Sequence, residues 1–333
     1  MAGGLVDATG ILEKIALLLR DALRTAGELF RIIVPVALVT RLLEMAGVIG
    51  PLGDLLTPFM HLVGLPGELG LVWATAMLTN LYGGMVVFAT LAPGFELTVS
   101  QVTVLTSMML IAHALPVELR IAQKAGPRMR VMVLLRFGGA LVYGTLLNQL
   151  YQASATLQQP SRALWQPPPA DPSWGGWALG MLETLVTIFL IILCLLALLR
   201  LLDRVGITGW LTRRLAPGLS WLGMQREVAP VTIIGMSLGI SYGGGLILRE
   251  VRSGRLGKRD LFLSLALMGL CHSVIEDTLV MMVMGGHLSG ILVGRVLFSL
   301  LVVRLLMVAL KRIPEATFER WFFRDQAAQA VAD

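Results

Sequence analysis

Long apolar runs constrain this chain more than any other feature. A helix needs about 20 largely apolar residues to cross a bilayer. Six segments meet that requirement: 28–48, 101–123, 131–152, 177–199, 261–286 and 288–311. Only 14% of the 333 residues are charged, whereas soluble domains carry about 25%. The sequence therefore predicts an all-α integral membrane protein.

The two halves of the chain are related by an internal repeat. A shift of 159 residues superimposes polar residues that rarely match by chance, and one inserted residue then brings Tyr82-Gly83-Gly84 onto Tyr242-Gly243-Gly244. The matched pairs include Arg41 and Arg200, Pro58 and Pro217, Glu68 and Glu227, His113 and His272, Glu118 and Asp277, and Arg136 and Arg295. Matches of this kind indicate a duplicated unit.

Basic residues are distributed oppositely in the two halves. Residues 92–100 contain no Lys or Arg, whereas the equivalent 249–260 contain five. Residues 120–130 contain four, whereas the equivalent 285–290 contain none. Since basic loops face the cytoplasm, the repeats are predicted to have opposite orientations.

Two further apolar stretches, 67–91 and 227–248, are interrupted by glycine and polar residues. All basic loops lie inside only if both stretches enter and leave the membrane on one side. The predicted fold is therefore two inverted-topology repeats with about six transmembrane helices and two re-entrant helical hairpins. Inverted repeats with interrupted helices are typical of secondary transporters, whose site lies near the midplane.

The expected organisation places this multi-pass chain in a bacterial-type cytoplasmic (inner) membrane, with both termini cytoplasmic. The segments are an amphipathic interfacial helix 1–27, a first repeat 28–152, a Pro-rich external linker 153–176, a second repeat 177–311 and a cytoplasmic interfacial tail 312–333.

Composition and motifs exclude several classes of function. The net charge of +6 comes from basic residues between apolar spans, so no nucleic-acid partner is expected. The two cysteines lie within spans and form no disulfide framework. The chain contains no phosphate loop, dinucleotide fingerprint or nucleophile elbow. We expect neither an enzyme nor a cofactor; the partners are the bilayer and a small-molecule or ion substrate.

The tips of the two interrupted segments are candidate substrate-binding elements. Glycine permits a reversal of the backbone there, and a reversal within the membrane leaves backbone groups free to bind a solute. Asn80, Tyr82, Ser241 and Tyr242 add side-chain hydrogen bonds. The alternative is that the glycines only permit tight helix packing.

His113 and His272 are repeated near the middle of their spans, where ionisable residues are costly and usually face a bundle interior. An in-plane two-fold axis brings them together. With the neighbouring Glu118, Glu276 and Asp277 they either handle a proton or hydrogen-bond a polar solute, since histidine titrates near neutral pH.

The alternative chemistry is a divalent transition-metal site formed by His113, His272, Glu276 and Asp277. His272 and Glu276 are four residues apart and share a helical face. His113 and Glu118 are five apart, which fits only if the helix unwinds near Pro116.

Arg136 and Arg295 also match across the repeat. They are expected to anchor their spans by extending towards the membrane surfaces; the sharper hypothesis is that they bind an anionic substrate group.

Three motifs in the second half carry a family resemblance: Glu227-Val228-Ala229-Pro230, Ser241-Tyr242-Gly243-Gly244-Gly245 and His272-Ser273-Val274-Ile275-Glu276-Asp277. The chain resembles the Gate, or nucleoside-recognition, membrane domains, which are related to concentrative nucleoside transporters and to the membrane part of ferrous-iron permeases. The resemblance implies two re-entrant hairpins and two unwound helices around a midplane site. It also implies a homo-oligomer by analogy.

Three functional hypotheses follow. The leading one is an alternating-access transporter of a small polar, nucleoside-like solute, coupled to protons or sodium. The second is a divalent metal-ion permease using His113, His272 and nearby carboxylates. The third is a non-transporting membrane scaffold or regulator.

Overall fold

The computed structural model describes residues 8–161, 173–206, 210, 229–239 and 256–324. All regular secondary structure in these ranges is helical, apart from two isolated β-bridges, in agreement with the all-α class predicted from the sequence. Ser241, Tyr242 and the second arm of the predicted hairpin 227–248 lie outside the described residues, as do residues 162–172 of the predicted linker.

The first half contains seven α-helices: α1 (Ala8–Met45), α2 (Ile49–Leu62), α3 (Leu69–Leu78), α4 (Leu81–Leu91), α5 (Val99–Ile111), α6 (Leu115–Lys124) and α7 (Met129–Ala153). The described part of the second half contains α8 (Trp174–Arg204), α9 (Ala229–Leu238), α10 (Lys258–Leu270), α11 (Glu276–Val283), α12 (Arg295–Lys311) and α13 (Glu315–Trp321). A π-helical turn, Ser289–Gly294, leads into α12.

Several of these helices are long and apolar enough to cross a bilayer. In the described ranges they are the segments Val99–Lys124, Met129–Ala153, Trp174–Leu202 and Ser289–Lys311. The pair α1 and α2, bent by 105°, gives a fifth when it is counted as one span. The predicted span 261–286 is not a continuous helix, because it is divided between α10 and α11.

Helix α1 joins two segments that the sequence separates. It runs unbroken for 38 residues, or about 57 Å, so no helix end marks the predicted boundary at residue 27. Its N-terminal apolar stripe is exposed, with Leu23 62% accessible. Exposed apolar side chains on a helix of this length are suited to contact with lipid.

The predicted first hairpin, 67–91, forms two short helices that pack against each other. Asn80 separates them, and its side-chain oxygen accepts a hydrogen bond from Gly83 N at 2.9 Å. Gly84 permits the close contact, because a Cβ there would lie 2.9 Å from the Cβ of Ala76.

Helices α5 and α10 form the centre of the molecule. Each has 13 residues, and their N-caps, Thr98 and Gly257, are 159 residues apart in the chain. Nearly every side chain of both helices is buried, with 11 buried residues in α5 and 10 in α10.

The remaining segments gather at the two ends of α7. Contacts near its C-terminus, here called the linker end, join Thr98 to Pro160, Gln101 to Gly64, and Ser289 to Tyr151. Contacts near its N-terminus, here called the arginine end, join Pro127 to Phe323, Lys258 to Glu319, and Arg259 to Glu315. Thr98 and Gly257, which the predicted repeat equates, therefore lie at opposite ends of a 25-residue helix.

Candidate functional site

Helices α5 and α10 end in backbone breaks of the same kind. Each break contains a histidine followed by a residue in the left-handed region, Ala114 at φ +46° and Ser273 at φ +47°. Non-glycine residues adopt positive φ uncommonly. The equal positions of these breaks, 159 residues apart, show that the two halves share this local geometry.

Hydrogen bonds to α3 and α9 hold the two breaks in place. Ala114 N donates to Ala76 O of α3 at 2.9 Å, and Val274 N donates to Met236 O of α9 at 2.9 Å. A break within a membrane-spanning segment is tolerated where other protein groups satisfy the freed backbone.

The same local contact fixes both imidazole rings. His113 Nδ1 lies 2.9 Å from Met109 O, and His272 Nδ1 lies 2.7 Å from Met268 O. A carbonyl oxygen only accepts hydrogen bonds, so Nδ1 carries the proton in each ring. In the neutral rings each Nε2 atom is then an unprotonated acceptor.

The two Nε2 atoms face each other across the interface between the halves. They are 3.2 Å apart, and the two side chains are almost fully buried, at 4% and 2% exposure. Two lone pairs at this distance repel each other unless a cation lies between them. The geometry therefore calls for a shared proton or a bound metal ion.

Two carboxylates complete what we call the histidine centre, formed by His113, His272, Glu118 and Asp277. Glu118 Oε1 lies 3.1 Å from His272 Nε2 and 3.5 Å from His113 Nε2. Asp277 Oδ2 lies 3.8 Å from His113 Nε2 and has no hydrogen-bond partner among the described residues.

The spacing of these donors suits a small metal ion. Ligand atoms bound tetrahedrally at about 2.0–2.1 Å lie about 3.3 Å from one another. Four of the six distances among these donors range from 3.1 to 3.8 Å. His113, His272 and Asp277 each offer a donor atom within 4.8 Å of the other two, and Glu118 is not part of this set.

Arg136 supports the first break from the adjacent helix α7. Its Nε donates to Ile111 O at 2.9 Å, its Nη2 donates to His113 O at 3.1 Å, and its Nη1 pairs with Glu118. The side chain is buried, so the prediction that it extends towards a membrane surface is wrong. The guanidinium satisfies carbonyls that the unwound helix leaves without partners, and it orients Glu118.

Arg295 occupies the equivalent place in the second half but has fewer partners. Its Nη2 donates to His272 O over a longer 3.4 Å, and its Nε and Nη1 have no hydrogen-bond partner in the described part of the chain. This side chain is also fully buried, so it does not extend to the surface either.

The remaining predicted site residues of the described ranges lie around this centre. Tyr82, near the start of α4, is partly buried and packs against the hydrophobic core. Asn80 caps α4, which is a structural role. Their proposed contacts with substrate remain predictions, as do those of Ser241 and Tyr242.

The structure changes which carboxylates accompany the histidines. Glu118 reaches both rings because the chain unwinds at Ala112 to Ala114, just before Pro116. Glu276 is the first residue of α11 and follows a break, so its expected shared helical face with His272 does not exist. Of the carboxylates expected near the imidazoles, Glu118 and Asp277 lie beside the rings; in the metal-ion alternative, Glu118 takes the place that was assigned to Glu276.

The chain has a recognisable relative among known proteins. It is 29% identical over 281 residues to the uncharacterized membrane protein YvoD of Bacillus subtilis (strain 168). The aligned region covers 84% of this chain and 89% of that protein. No protein-family model and no solved structure matches the chain. Together with the apolar helices, this similarity supports a membrane protein.

Proposed function

We propose that the protein transports a divalent first-row transition-metal ion across the membrane and binds it at the histidine centre. The observation that supports this most strongly is the 3.2 Å separation of two Nε2 atoms whose rings hold their protons on Nδ1. A metal ion placed between them removes the repulsion of the lone pairs. It also uses the carboxylates on either side.

The donor set selects a class of ion. Imidazole nitrogens suit zinc, iron, nickel and copper, whereas magnesium and calcium prefer oxygen ligands. Metal-binding histidines usually donate their second ring N–H to a carbonyl or carboxylate, as both rings do here. Arg136 holds Glu118 in the same supporting manner.

The position of the centre supports transport. Helices α5 and α10 begin at opposite ends of α7, and each has 13 residues before its break, or about 20 Å. The two lengths add to about 40 Å, close to the thickness of a bilayer with its headgroups. The histidine centre would thus lie near the midplane.

We further infer that the halves are inverted repeats with a second re-entrant hairpin at 227–248, although only its first arm is described. Equivalent helix starts lie at opposite ends of α7, and inverted repeats with broken helices are the architecture of alternating-access carriers. Basic residues at the arginine end would place that end, and both termini, in the cytoplasm.

A second candidate is a proton-coupled carrier of a small polar, nucleoside-like solute, as the resemblance to Gate domains implies. It is favoured by Arg136, which already compensates the charge of Glu118 without a metal ion. The facing Nε2 atoms would then share a proton. Tyr82 and Glu276 would offer hydrogen bonds to the solute.

Metal binding by the purified protein separates these candidates. Zinc affinity should be measured by calorimetry, and bound metal by elemental analysis, for the wild type and for the double variant His113→Gln/His272→Gln. Removing an outer-shell partner of a metal ligand weakens affinity about 10–100-fold. Loss of two ligands should therefore exceed 100-fold.

The chain offers a matched control in His61, which is exposed on α2; His61→Gln should bind zinc normally. Zinc uptake into proteoliposomes should likewise be lost in the double variant and remain normal in His61→Gln. Proton-dependent uptake of a nucleoside with no bound zinc would contradict the metal proposal and favour the second candidate. Failure to bind or transport either would favour a scaffold.

A further inference from the structure

A groove at the arginine end lies outside the histidine centre. Its volume is about 760 Å³. It is lined by the end of α6, the connection to α7, the first turns of α7 and the third residue after α13: Gln123, Pro127, Arg128, Met129, Arg130, Val133, Leu134 and Arg324. Three of the eight lining residues are arginines, so its polar part is strongly cationic.

Local contacts position these arginines. Arg128 Nη2 donates a long hydrogen bond of 3.4 Å to Glu319 O. Its Nε is buried without a hydrogen-bond partner among the described residues. Arg130 lies over the ring of Trp321, 5.4 Å from its centroid. Arg324 is exposed, and its backbone N is bonded to Gly126 O.

The acidic residues of α13 do not neutralise this cluster. Glu319 Oε1 pairs with Lys258 Nζ at 2.6 Å, and Glu315 Oε2 pairs with Arg259 Nε at 2.8 Å. Both carboxylates therefore form ion pairs with basic residues at the start of α10. The described lining residues of the groove therefore carry a net positive charge.

The start of α7 adds to the positive potential. Arg128 is the N-cap of this 25-residue helix and makes no side-chain capping hydrogen bond. The first N–H groups of a helix have no intrahelical partners, and the aligned peptide dipoles place partial positive charge at this end. Backbone and side chains thus favour the same kind of ligand, an anion.

Further along α7, the groove is apolar and faces outward. Val133 and Leu134 lie three and four residues after Arg130, on the same face of the helix, and Leu134 is 70% exposed. Because α7 is long and apolar enough to span a bilayer, this apolar part continues from the arginines towards the hydrocarbon region. A ligand with an anionic head and an apolar chain fits both parts of the groove.

We propose that this groove binds the phosphate headgroup of an anionic phospholipid, with the first part of an acyl chain lying along Val133 and Leu134. Arginine clusters at membrane surfaces recognise lipid phosphates, and guanidinium groups match phosphate geometry. The inference does not depend on the transported substrate, because it rests on residues outside the histidine centre.

Native mass spectrometry of the full-length protein with added lipid tests this site. Phosphatidylglycerol should bind the wild type more tightly than phosphatidylcholine. In Arg128→Gln/Arg130→Gln its affinity should fall roughly thirtyfold, because each basic residue near an anionic headgroup contributes about a fivefold factor. A second variant, Leu134→Glu, keeps the arginines but should also weaken binding.

The matched control is Lys311→Gln/Arg312→Gln, which removes two exposed charges at the C-terminal end of α12, outside the groove lining. It should leave binding unchanged. Equal weakening in both double variants would overturn the proposal, as would equal binding of phosphatidylcholine. Displacement of the lipid by excess inorganic phosphate would instead indicate a free-anion site, and would also overturn it.

Discussion

At the scale of single residues, a main-chain carbonyl determines the tautomer of each histidine, that is, which ring nitrogen carries the proton. Each imidazole bonds the carbonyl four residues earlier, in the last turn of a helix that ends just before the ring. This pairing needs no special side chain at positions 109 or 268. A sequence pattern therefore shows the repeated histidines but does not show their tautomer.

The different partners of Arg136 and Arg295 predict that substitutions at these two positions lower stability by different amounts. Removing one partner of a buried ion pair costs about 3–5 kcal/mol, and Arg136→Gln also removes two bonds to carbonyls of the break. Arg295→Gln removes one long bond to a carbonyl and an interaction with the thiol of Cys271. Unfolding in detergent should show a larger loss of stability for Arg136→Gln.

The conservative variants serve as controls for this comparison. Arg136→Lys keeps the positive charge but cannot reach both carbonyls and Glu118 together, so its stability should lie between those of wild type and Arg136→Gln. An Arg295→Gln loss equal to that of Arg136→Gln would show that Arg295 has partners equivalent to those of Arg136.

The choice between Glu118 and Glu276 shows where residue-level prediction ends. Both acids lie four or five residues after a histidine, and helical periodicity favours Glu276. That periodicity fails because both helices break at the histidine. The position of a break depends on hydrogen bonds to the carbonyl oxygens of Ala76 and Met236, which are distant in sequence.

At the scale of helices, the breaks carry backbone strain. A left-handed conformation costs a non-glycine residue about 1–2 kcal/mol. Glycine avoids this cost, but its greater conformational freedom in the unfolded chain lowers stability by about 0.5–1 kcal/mol. Ala114→Gly should therefore stabilise the protein by about 0.5–1 kcal/mol, measured by thermal unfolding in detergent.

Ala112 provides the matched control for this substitution. It lies two residues earlier at φ −131°, where glycine gains nothing, and it is fully buried. Ala112→Gly should destabilise the protein. Destabilisation by Ala114→Gly equal to that by Ala112→Gly would mean that the left-handed backbone at Ala114 is not present.

The α3–α4 hairpin predicts a second effect at this scale. A Cβ on Gly84 would lie 2.7 Å from Met109 Cε and 3.2 Å from Val72 O. Overpacking of this kind costs about 1–3 kcal/mol, so Gly84→Ala should lower the unfolding temperature.

Gly94, just after the same hairpin, has no atom within 4 Å of an added Cβ. Gly94→Ala should therefore leave the unfolding temperature nearly unchanged. Equal effects of the two substitutions would show that the hairpin arms are not in close contact.

At the scale of the whole molecule, the sequence predicts more than it does at single sites. Apolar runs identify the long helices, and glycine and polar interruptions identify the first hairpin. The continuity of α1 across residue 27 and the division of 261–286 are not predicted. Both depend on packing between helices, to which a hydropathy pattern is insensitive.

The proposed opposite orientation of the halves is the whole-molecule property most open to direct test. Glu96 and Leu288 belong to the segments near the linker end, whereas Lys124 and Gly257 belong to those near the arginine end, and all four residues are exposed.

In a Cys194→Ser background, Glu96→Cys and Leu288→Cys should react with a membrane-impermeant maleimide on intact cells. Lys124→Cys and Gly257→Cys should react only after permeabilisation, because basic loops stay in the cytoplasm. Labelling of Glu96→Cys and Gly257→Cys from the same side would exclude inverted repeats, and the histidine centre would then lack the two-sided access that transport requires.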